Sequence, residues 1–259
     1  MLTDAHCHPY DLATVLPEAE DERKKLGITC AASASNLEEF EYCEKLPQTL
    51  PCFALHPQMP ALDRGFEEKI DEKLALLDKL AGQGRLSAVG ETGFDFYNEA
   101  FRETEKLQEY LFTAHIETAL RFDLPVVLHI RRAMNKVFAH KKLLKKCRAL
   151  IFHSWSGTAE EGEAILGLGI NGFFSFGTAV MLNHKKAIRC CAVFPKDRIL
   201  IETDAPYQPL RGRKYSVYAD LLHILGFIAG LRQVCPKELE NTIEMNFKKA
   251  FILCNKDII

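Results

Sequence analysis

Eight short runs of apolar or β-branched residues recur along the chain, and charged segments with helical periodicity lie between them. The runs cover residues 2–7, 28–33, 50–55, 86–90, 124–130, 150–152, 170–176 and 199–202. In residues 101–122, Leu107, Leu111 and Ala114 follow one another at steps of four and three, which favours an amphipathic helix. Strands that alternate with helices predict a parallel sheet, and eight repeats predict its closure into a (β/α)₈ TIM barrel of the α/β class.

No linker divides the chain into smaller units. The sequence contains no Pro-, Gly- or Ser-rich stretch, no low-complexity tract and no change of composition between its two halves. A chain of 259 residues that is 47% hydrophobic can bury a large core. We therefore expect one barrel domain over residues 1–259, whose last two helices cover residues 217–231 and 236–253.

Charge and hydropathy restrict the partners that the chain can have. Its formal net charge is −2, so no protein-wide positive field attracts nucleic acid, and a polyanion must be held by local basic groups or bound cations. No apolar run reaches the roughly 18 residues that a membrane span needs, and the amino terminus lacks a signal-peptide pattern. We expect a cytoplasmic monomer without a membrane partner. The nine cysteines include no C-x-x-C pair, which is typical of reduced, buried thiols.

Acids and histidines stand where the expected strands end. The first strand ends in Asp4-Ala5-His6-Cys7-His8, and period-2 alternation places His6 and His8 on the same side. The other strand ends that carry such groups contribute Glu91, Asp95, His129, His153 and Asp204. The carboxyl ends of the strands share one rim of a TIM barrel, where catalytic groups collect. We therefore expect these side chains to converge.

Imidazole and carboxylate groups together suit zinc, manganese and similar divalent ions. A single histidine at a strand end is more often a hydrogen-bonded core residue. A set from five strands favours metal, because so many polar groups in one barrel mouth would be costly without cations. Glu91 could bridge two ions, which at about 3.5–4 Å apart would clamp an attacking hydroxide and a leaving oxygen. Asp204 would then accept the proton of the metal-bound water.

The strings DAHCH, ALHP, GETGFD, PVVLHIR, HSWSG and ETDAPY occur in this order. In order and spacing they resemble the TatD family of metal-dependent deoxyribonucleases, within the wider amidohydrolase-like superfamily. The match extends from Asp4 to about Phe251. The resemblance implies two divalent ions, Mg²⁺, Mn²⁺ or Zn²⁺, and 3′-to-5′ exonuclease or related activity on single-stranded DNA.

The resemblance also implies roles for individual residues. One metal ion is expected to be held by His6, His8, Glu91 and Asp204. The other is expected to be held by Glu91, His129 and His153. Glu91 and Asp204 are the expected catalytic residues, with Asp204 also acting on the nucleophilic water.

Two further residues of these motifs have more than one interpretation. His56 ends the third strand, where the family places a histidine near the substrate phosphate; it could instead cap the strand end. Asp4 shares the parity of His6, so it could orient a ligand imidazole as metal-site carboxylates often do. The chain departs from the family after Asp204, where the usual Asn-x-Pro is missing, and at Trp155. These departures leave the metal ligands unchanged but bear on substrate length and base preference.

Candidate substrate contacts follow the same strand ends. Arg131 is the strongest, because it lies two residues beyond His129 and its guanidinium can form a fork onto phosphate oxygens. Arg211 and Tyr207 lie in the segment after the eighth strand. The aromatic residues that could stack on unpaired bases, or form an ordinary loop surface, are Phe96, Tyr97, Trp155, Tyr207 and Tyr215. The basic run 140–146 has its apolar residues at helical spacing, which favours a solvated face of the outer helix ring.

Two other functions remain open at this point. The same two-metal arrangement attacks carbonyl carbon in related barrels, so an amide, ester, lactone or aminoacyl-tRNA substrate is an alternative to DNA. A barrel that binds nucleic acid or a partner protein without catalysis is the third hypothesis. The intact set of candidate ligands argues against that hypothesis.

Overall fold

The computed structural model of the protein describes residues 1–252. Eight parallel strands follow one another in sequence order around a single sheet. They are β1 Thr3–Cys7, β2 Thr29–Ala34, β3 Thr49–Phe53, β4 Ala88–Asp95, β5 Val126–Arg131, β6 Leu150–Phe152, β7 Gly172–Phe176 and β8 Ile199–Ile201. Just beyond β8 the amide of Asp204 donates to His6 O at 3.0 Å, and His8 N donates to Ala205 O at 2.8 Å. These bonds bring the first and last strands together in a nearly closed barrel, so the predicted TIM-barrel fold is confirmed.

Helices cover the outside of the sheet. Those in the first half of the described chain are α1 Pro9–Val15, α2 Ala19–Leu26, α3 Leu37–Lys45, α4 Met59–Leu62, α5 Ile70–Gly82, α6 Glu99–Glu103 and α7 Glu105–Arg121. Those in the second half are α8 Met134–Ala139, α9 Lys141–Leu144, α10 Ala159–Gly167, α11 Lys185–Val193, α12 Asp220–Arg232 and α13 Pro236–Phe251. None of the helices in residues 1–252 has the length and hydropathy of a membrane span.

Two predicted helices differ from the observed ones at identifiable positions. The helix expected over 101–122 is divided at Thr104, whose hydroxyl donates to Phe101 O at 2.8 Å. The helix expected from residue 217 begins at Asp220, because the Asp220 carboxylate accepts from Val217 N at 3.0 Å and holds that residue outside the helix. The last helix begins at Pro236 as predicted, and its expected end at Leu253 lies outside the described residues.

The interior of the barrel is filled by one inward side chain from each strand. These side chains form one buried cluster with α13, and they are Ala5, Ala31, Cys52, Ala88, Val127, Ile151, Phe173 and Leu200. Phe247 and Phe251 of α13 complete the cluster. Because side chains alternate along a strand, the inward positions two residues further on form the next layer toward the carboxyl ends. That layer includes His129, His153 and Glu202, so the apolar cluster forms the floor beneath the polar groups.

The cysteines follow the expected pattern of buried thiols. Seven of the eight in the described residues are buried and free, and Cys235 is exposed. Burial raises the pKa of the Cys147 and Cys191 thiols to about 12. These thiols are therefore protonated and unreactive at neutral pH.

Candidate metal centre

Glu91 lies at the centre of the polar layer, and its two carboxylate oxygens face different sets of side chains. Oε2 lies 3.2 Å from His6 Nε2 and 3.7 Å from His8 Nε2. Oε1 lies 2.7 Å from both His129 Nδ1 and His153 Nε2. One carboxylate therefore joins two groups of nitrogen donors, which is the arrangement expected of a residue that bridges two cations.

Asp204 completes the group on the His6 side. Its Oδ1 lies 3.5 Å from both His6 Nε2 and His8 Nε2. Three sets of ligand atoms, each within 4.8 Å of one another, could hold a metal ion: His6, His153 and Asp204; His6, His8 and Glu91; His56, Glu91 and His129. All six expected ligands therefore converge in one place. His56 joins them, with its Nε2 3.4 Å from Glu91 Oε1, so its geometry suits a metal ligand as well as a phosphate contact.

The residues present fit a bound cation. His6 Nε2 is buried without a hydrogen-bond partner and points at Glu91 and Asp204. His129 Nδ1 and His153 Nε2 lie 3.2 Å apart beside the same carboxylate oxygen. Two imidazole lone pairs at that distance repel each other unless a proton or a metal ion lies between them. The donor set of imidazoles and carboxylates suits Zn²⁺, Mn²⁺ and related ions.

The carboxylates make the site strongly attractive to positive charge. Burial alone would raise the pKa of Glu91, but the neighbouring imidazoles, His153 first, bring that pKa well below its ordinary value. Burial alone would lower the pKa of His153, but Glu91 and Glu202 raise it well above its ordinary value. A cation is therefore favoured at the centre, whether it is a proton on an imidazole or a metal ion.

Three buried polar groups orient the ligand imidazoles from behind. Ser33 Oγ lies 3.1 Å from His6 Nδ1, which leaves His6 Nε2 directed at the centre. Glu202 Oε1 lies 3.5 Å from His153 Nδ1 and accepts the Ser154 amide at 2.6 Å. Such outer partners fix the ring orientation and the tautomer of metal-binding histidines.

Asp95 supports His129 in the same way. Its Oδ2 lies 2.9 Å from His129 Nε2 and accepts from Gln58 Nε2 at 2.7 Å. Burial opposes the charged form of Asp95, but hydrogen bonds from His129 and Gln58 outweigh it and lower the pKa to about 2. The sequence pattern places Asp95 at a strand end without indicating a role, and it gives no role to Ser33 or Glu202. The inward parity of Glu202, two residues after Leu200, was the available signal.

Asp4 does not have the role that its parity indicated. Its carboxylate accepts from Thr203 N at 3.0 Å, Thr203 Oγ1 at 2.6 Å and His6 N at 3.2 Å, and contacts no ligand imidazole. The β1–β2 register shifts between Asp4 and Cys7, so strict alternation does not hold across His6. Asp4 instead joins β1 to the segment that follows β8. Burial raises its pKa to about 7.

A cavity of about 1050 Å³ opens from the metal centre. Its lining includes Arg131 and Tyr207, two of the expected substrate contacts, as well as His56. The Arg131 guanidinium lies 3.6 Å from the centre of the Tyr97 ring, which holds the arginine at the rim. Tyr207 donates to Asp11 Oδ2 at 2.9 Å and lies edge-on to His8.

Other candidate contacts lie elsewhere. Arg211 is exposed and is absent from the cavity lining. Phe96 is buried in the hydrophobic core and offers no face to a base. Trp155 lines the cavity but is only 5% exposed, packed edge-on against Phe174. His184, Lys185 and Lys186, which the sequence pattern did not indicate, line the cavity at the start of α11.

The family model described as "TatD related DNase" matches residues 3–252. The chain belongs to the TatD-related DNase family. A protein of Erwinia billingiae named "3'-5' ssDNA/RNA exonuclease TatD" is 34% identical over 70% of this chain and 72% of its own length. A protein of Buchnera aphidicola named "Uncharacterized metal-dependent hydrolase" is 28% identical over 97% of this chain and 96% of its own.

Solved structures of the TatD family share the fold. The TatD homologue YJJV of Escherichia coli matches with a TM-score of 0.84 at 23% identity, covering 97% of this chain and 98% of that one. A TatD family hydrolase from Entamoeba histolytica matches with a TM-score of 0.74 at 17% identity, covering 97% of this chain and 98% of that one. The resemblance of the motifs is thus confirmed: this TatD-family chain is a metal-dependent hydrolase that acts on ester bonds.

Proposed function

We propose that this protein is a divalent-metal-dependent deoxyribonuclease that hydrolyses phosphodiester bonds in single-stranded DNA, as a 3′-to-5′ exonuclease. The observation that carries the proposal is Glu91, whose two oxygens face separate groups of donors at the base of a large cavity. The "3'-5' ssDNA/RNA exonuclease TatD" name of the Erwinia billingiae relative supports the choice of substrate and direction.

Two divalent ions fit the two sides of Glu91. His6, His8, Glu91 and Asp204 would hold the first, and Glu91, His129 and His153 would hold the second, with His56 beside it. Bound ions of this kind lower the pKa of water and neutralise charge on a phosphate. The protein fixes the ligand geometry through Ser33, Asp95 and Glu202.

Asp204 has the geometry of the proton acceptor. Its Oδ1 faces His6 and His8, while its Oδ2 accepts from Gln208 Nε2 at 2.6 Å. Hydrogen bonding and the neighbouring imidazoles keep its pKa below the ordinary value despite burial, so the carboxylate is ionised and can take a proton from the attacking water. Arg131, held on Tyr97, is placed to bind a phosphate oxygen of the substrate.

Metal analysis and cleavage assays test this proposal. We expect metal ions to copurify with the protein, and a chelator to abolish cleavage of end-labelled single-stranded DNA until Mg²⁺, Mn²⁺ or Zn²⁺ is restored. Asp204→Asn should bind the strand without cutting it. Asp197→Asn is the matched control, because Asp197 is exposed and lies outside the cavity. Undiminished cleavage by Asp204→Asn contradicts the mechanism.

Hydrolysis of an amide, ester, lactone or aminoacyl-tRNA is the second candidate, since the same centre would attack carbonyl carbon. A side-by-side assay of oligonucleotides and a panel of these substrates decides between the two. Turnover of carbonyl substrates alone would overturn the nuclease assignment.

We also infer that residues 1–259 form one catalytic unit that acts as a cytoplasmic monomer. The seven buried free thiols are consistent with a reducing compartment. Light scattering of the purified protein tests the oligomeric state, and cell fractionation tests the compartment. A dimer, or recovery of the protein outside the cytoplasm, would contradict the inference.

A further inference from the structure

A basic segment formed by His184, Lys185 and Lys186 lines the same cavity as the metal centre. All three residues are exposed. Among residues 1–252, no carboxylate lies within ion-pair distance of Lys185 or Lys186. These two charges are therefore available to a ligand, and nothing in the proposed mechanism uses them.

The metal centre and this basic segment line one cavity, together with residues of the loop after β6. The loop after β6 leaves the candidate ligand His153 and continues along the lining through Ser154, Trp155 and Ser156. The same loop contacts α11, whose Cys190 thiol donates to Gly157 O at 3.6 Å. A chain molecule with one phosphate at the metal centre can therefore extend within this cavity toward the start of α11.

Two carboxylates line the cavity on other elements. They belong to Asp11 and Glu39, on the helices that follow β1 and β2. Both carboxylates already have donors: Tyr207 Oη binds Asp11, and the Ser35 amide binds Glu39 at 2.6 Å. A polyanion is repelled by these two carboxylates and attracted by the lysines of α11. Because the protein's net charge is −2, such local asymmetry decides the path of the strand.

Resting on the proposed nuclease function, we propose that the basic segment binds a second phosphate of the same strand, apart from the one that is cut. The preferred substrate is then a strand with at least two phosphates, and a mononucleotide ester lacks one of its contacts. The contact is made to the backbone, so it applies to any base sequence. Lysine suits this role as a mobile point charge that follows a flexible single strand.

The chain provides its own matched control. The tripeptide His-Lys-Lys occurs a second time as His140, Lys141 and Lys142, where Lys141 also begins a helix. Lys141 and Lys142 are exposed, as are Lys185 and Lys186, but they lie on the outer helix ring and are absent from the cavity lining. Removing either pair changes the net charge equally. Only one pair should affect the substrate.

The double variant Lys185→Gln, Lys186→Gln should be compared with Lys141→Gln, Lys142→Gln and the wild-type protein. The first readout is fluorescence anisotropy of a labelled single strand of about 12 nucleotides, measured with a chelator across a salt series. We expect the first variant to bind about tenfold more weakly, with the salt slope reduced by about 0.7 for one lost phosphate contact. The second variant should match the wild-type protein.

The second readout compares cleavage of a substrate that has one phosphate with cleavage of a substrate that has several. With Mn²⁺ present, the first variant should lose about tenfold in kcat/KM on the oligonucleotide, mainly through KM, and should keep wild-type kcat/KM on thymidine 5′-(4-nitrophenyl phosphate). Equal losses on both substrates, an unchanged salt slope, or an equal loss in the control variant would each overturn the inference. If the wild-type protein cuts neither substrate, the nuclease proposal fails, and the anisotropy comparison still decides the role of the basic segment.

Discussion

His115 shows how a residue far from the chemistry supports the metal centre. It is fully buried on α7, where its Nε2 accepts from Leu55 N at 3.1 Å and its Nδ1 lies 2.8 Å from Thr92 Oγ1. Leu55 and Thr92 are the chain neighbours of His56 and Glu91. One imidazole therefore fixes the ends of β3 and β4 together. The accepting Nε2 requires the neutral tautomer with its proton on Nδ1.

The neutral state of His115 predicts a pH dependence of stability. Burial lowers its pKa from 6.5 to about 3, so below pH 6.5 the unfolded chain takes up a proton that the folded chain refuses. The contribution of His115 to the free energy of unfolding is fully present above pH 6.5. It decreases as the pH is lowered, by up to about 1.4 kcal/mol per pH unit. Urea unfolding of the metal-free protein between pH 7.5 and 5 gives the slope of the unfolding free energy against pH. His115→Gln should reduce this slope by up to the amount that corresponds to the uptake of one proton on unfolding. His223→Gln, at an exposed position, should not. Parallel profiles for the wild-type protein and His115→Gln would refute the assignment.

Ser33 offers a second prediction at the scale of the residue. Its hydroxyl is the partner of His6 Nδ1, and it does not touch the face of the imidazole that points at the centre. Ser33→Ala should weaken metal binding by about 10- to 100-fold, because the ring loses the group that fixes its orientation. Titration calorimetry with Mn²⁺ or Zn²⁺ measures this change. Ser87→Ala, one residue before β4, is a control that should leave the affinity for the metal unchanged. Unchanged affinity in Ser33→Ala would show that packing alone orients His6.

At the scale of the element, β4 and β5 must approach closely to bring Glu91 and His129 together. Gly93 pairs with His129 in this ladder and has a φ of +144°. A Cβ atom at residue 93 would lie 2.1 Å from His129 O, which is backbone and cannot rotate away. Glycine is therefore required by both the conformation and the contact.

Gly93→Ala should destabilise the protein well beyond the roughly 1–3 kcal/mol of conformational strain alone, because the two strands must also separate. Gly84→Ala isolates the strain, since Gly84 has a φ of +67° and no atom within 4 Å of the added Cβ. Denaturant unfolding compares the two variants. Equal losses of unfolding free energy in the two variants would mean that the close approach of β4 to β5 adds nothing to the cost of the backbone strain. Metal affinity should fall only in Gly93→Ala.

The helices show the same dependence on neighbours. The predicted outer-ring position of the basic run 140–146 agrees with the structure, since Leu144 and Cys147 are buried while Lys141, Lys142, Lys145 and Lys146 are exposed. The run forms the short helix α9 after α8 rather than one continuous helix. At the junction, His140 turns inward and its Nε2 binds Glu109 of α7. The amphipathic pattern fixed the buried face, and a partner from another helix fixed the break.

At the scale of the whole molecule, the metal centre joins residues from five strand ends around the barrel. Ions bound there would together link β1, β4, β5, β6 and the segment after β8, and they would bind only the folded chain. At about 100 times its dissociation constant, such an ion stabilises the protein by about 2.7 kcal/mol. For a domain of this size that corresponds to a rise in Tm of roughly 5–10 °C.

Calorimetry with and without Mn²⁺ checks this coupling. The wild-type protein should show the rise in Tm, a chelator should reverse it, and Glu91→Gln should lose most of it because no carboxylate then faces both groups of donors. Glu163→Gln, an exposed residue of α10, is the control and should respond like the wild-type protein. A full response in Glu91→Gln would show that Glu91 does not join the two groups.

The sequence by itself determined the barrel and the side chains that meet at its rim. The strand–helix alternation is a local pattern, and in a parallel barrel every strand end reaches the same rim, so His6, His8, Glu91, His129, His153 and Asp204 could be brought together without knowing any contact. Tertiary structure decided what local patterns leave undetermined. A register shift after Asp4 removed the parity that Asp4 and His6 would otherwise share, so Asp4 binds Thr203, and packing made His115 a neutral link between two strands. Two identical His-Lys-Lys tripeptides received different surroundings, one in the cavity and one outside, because a tripeptide does not encode which element lies opposite it.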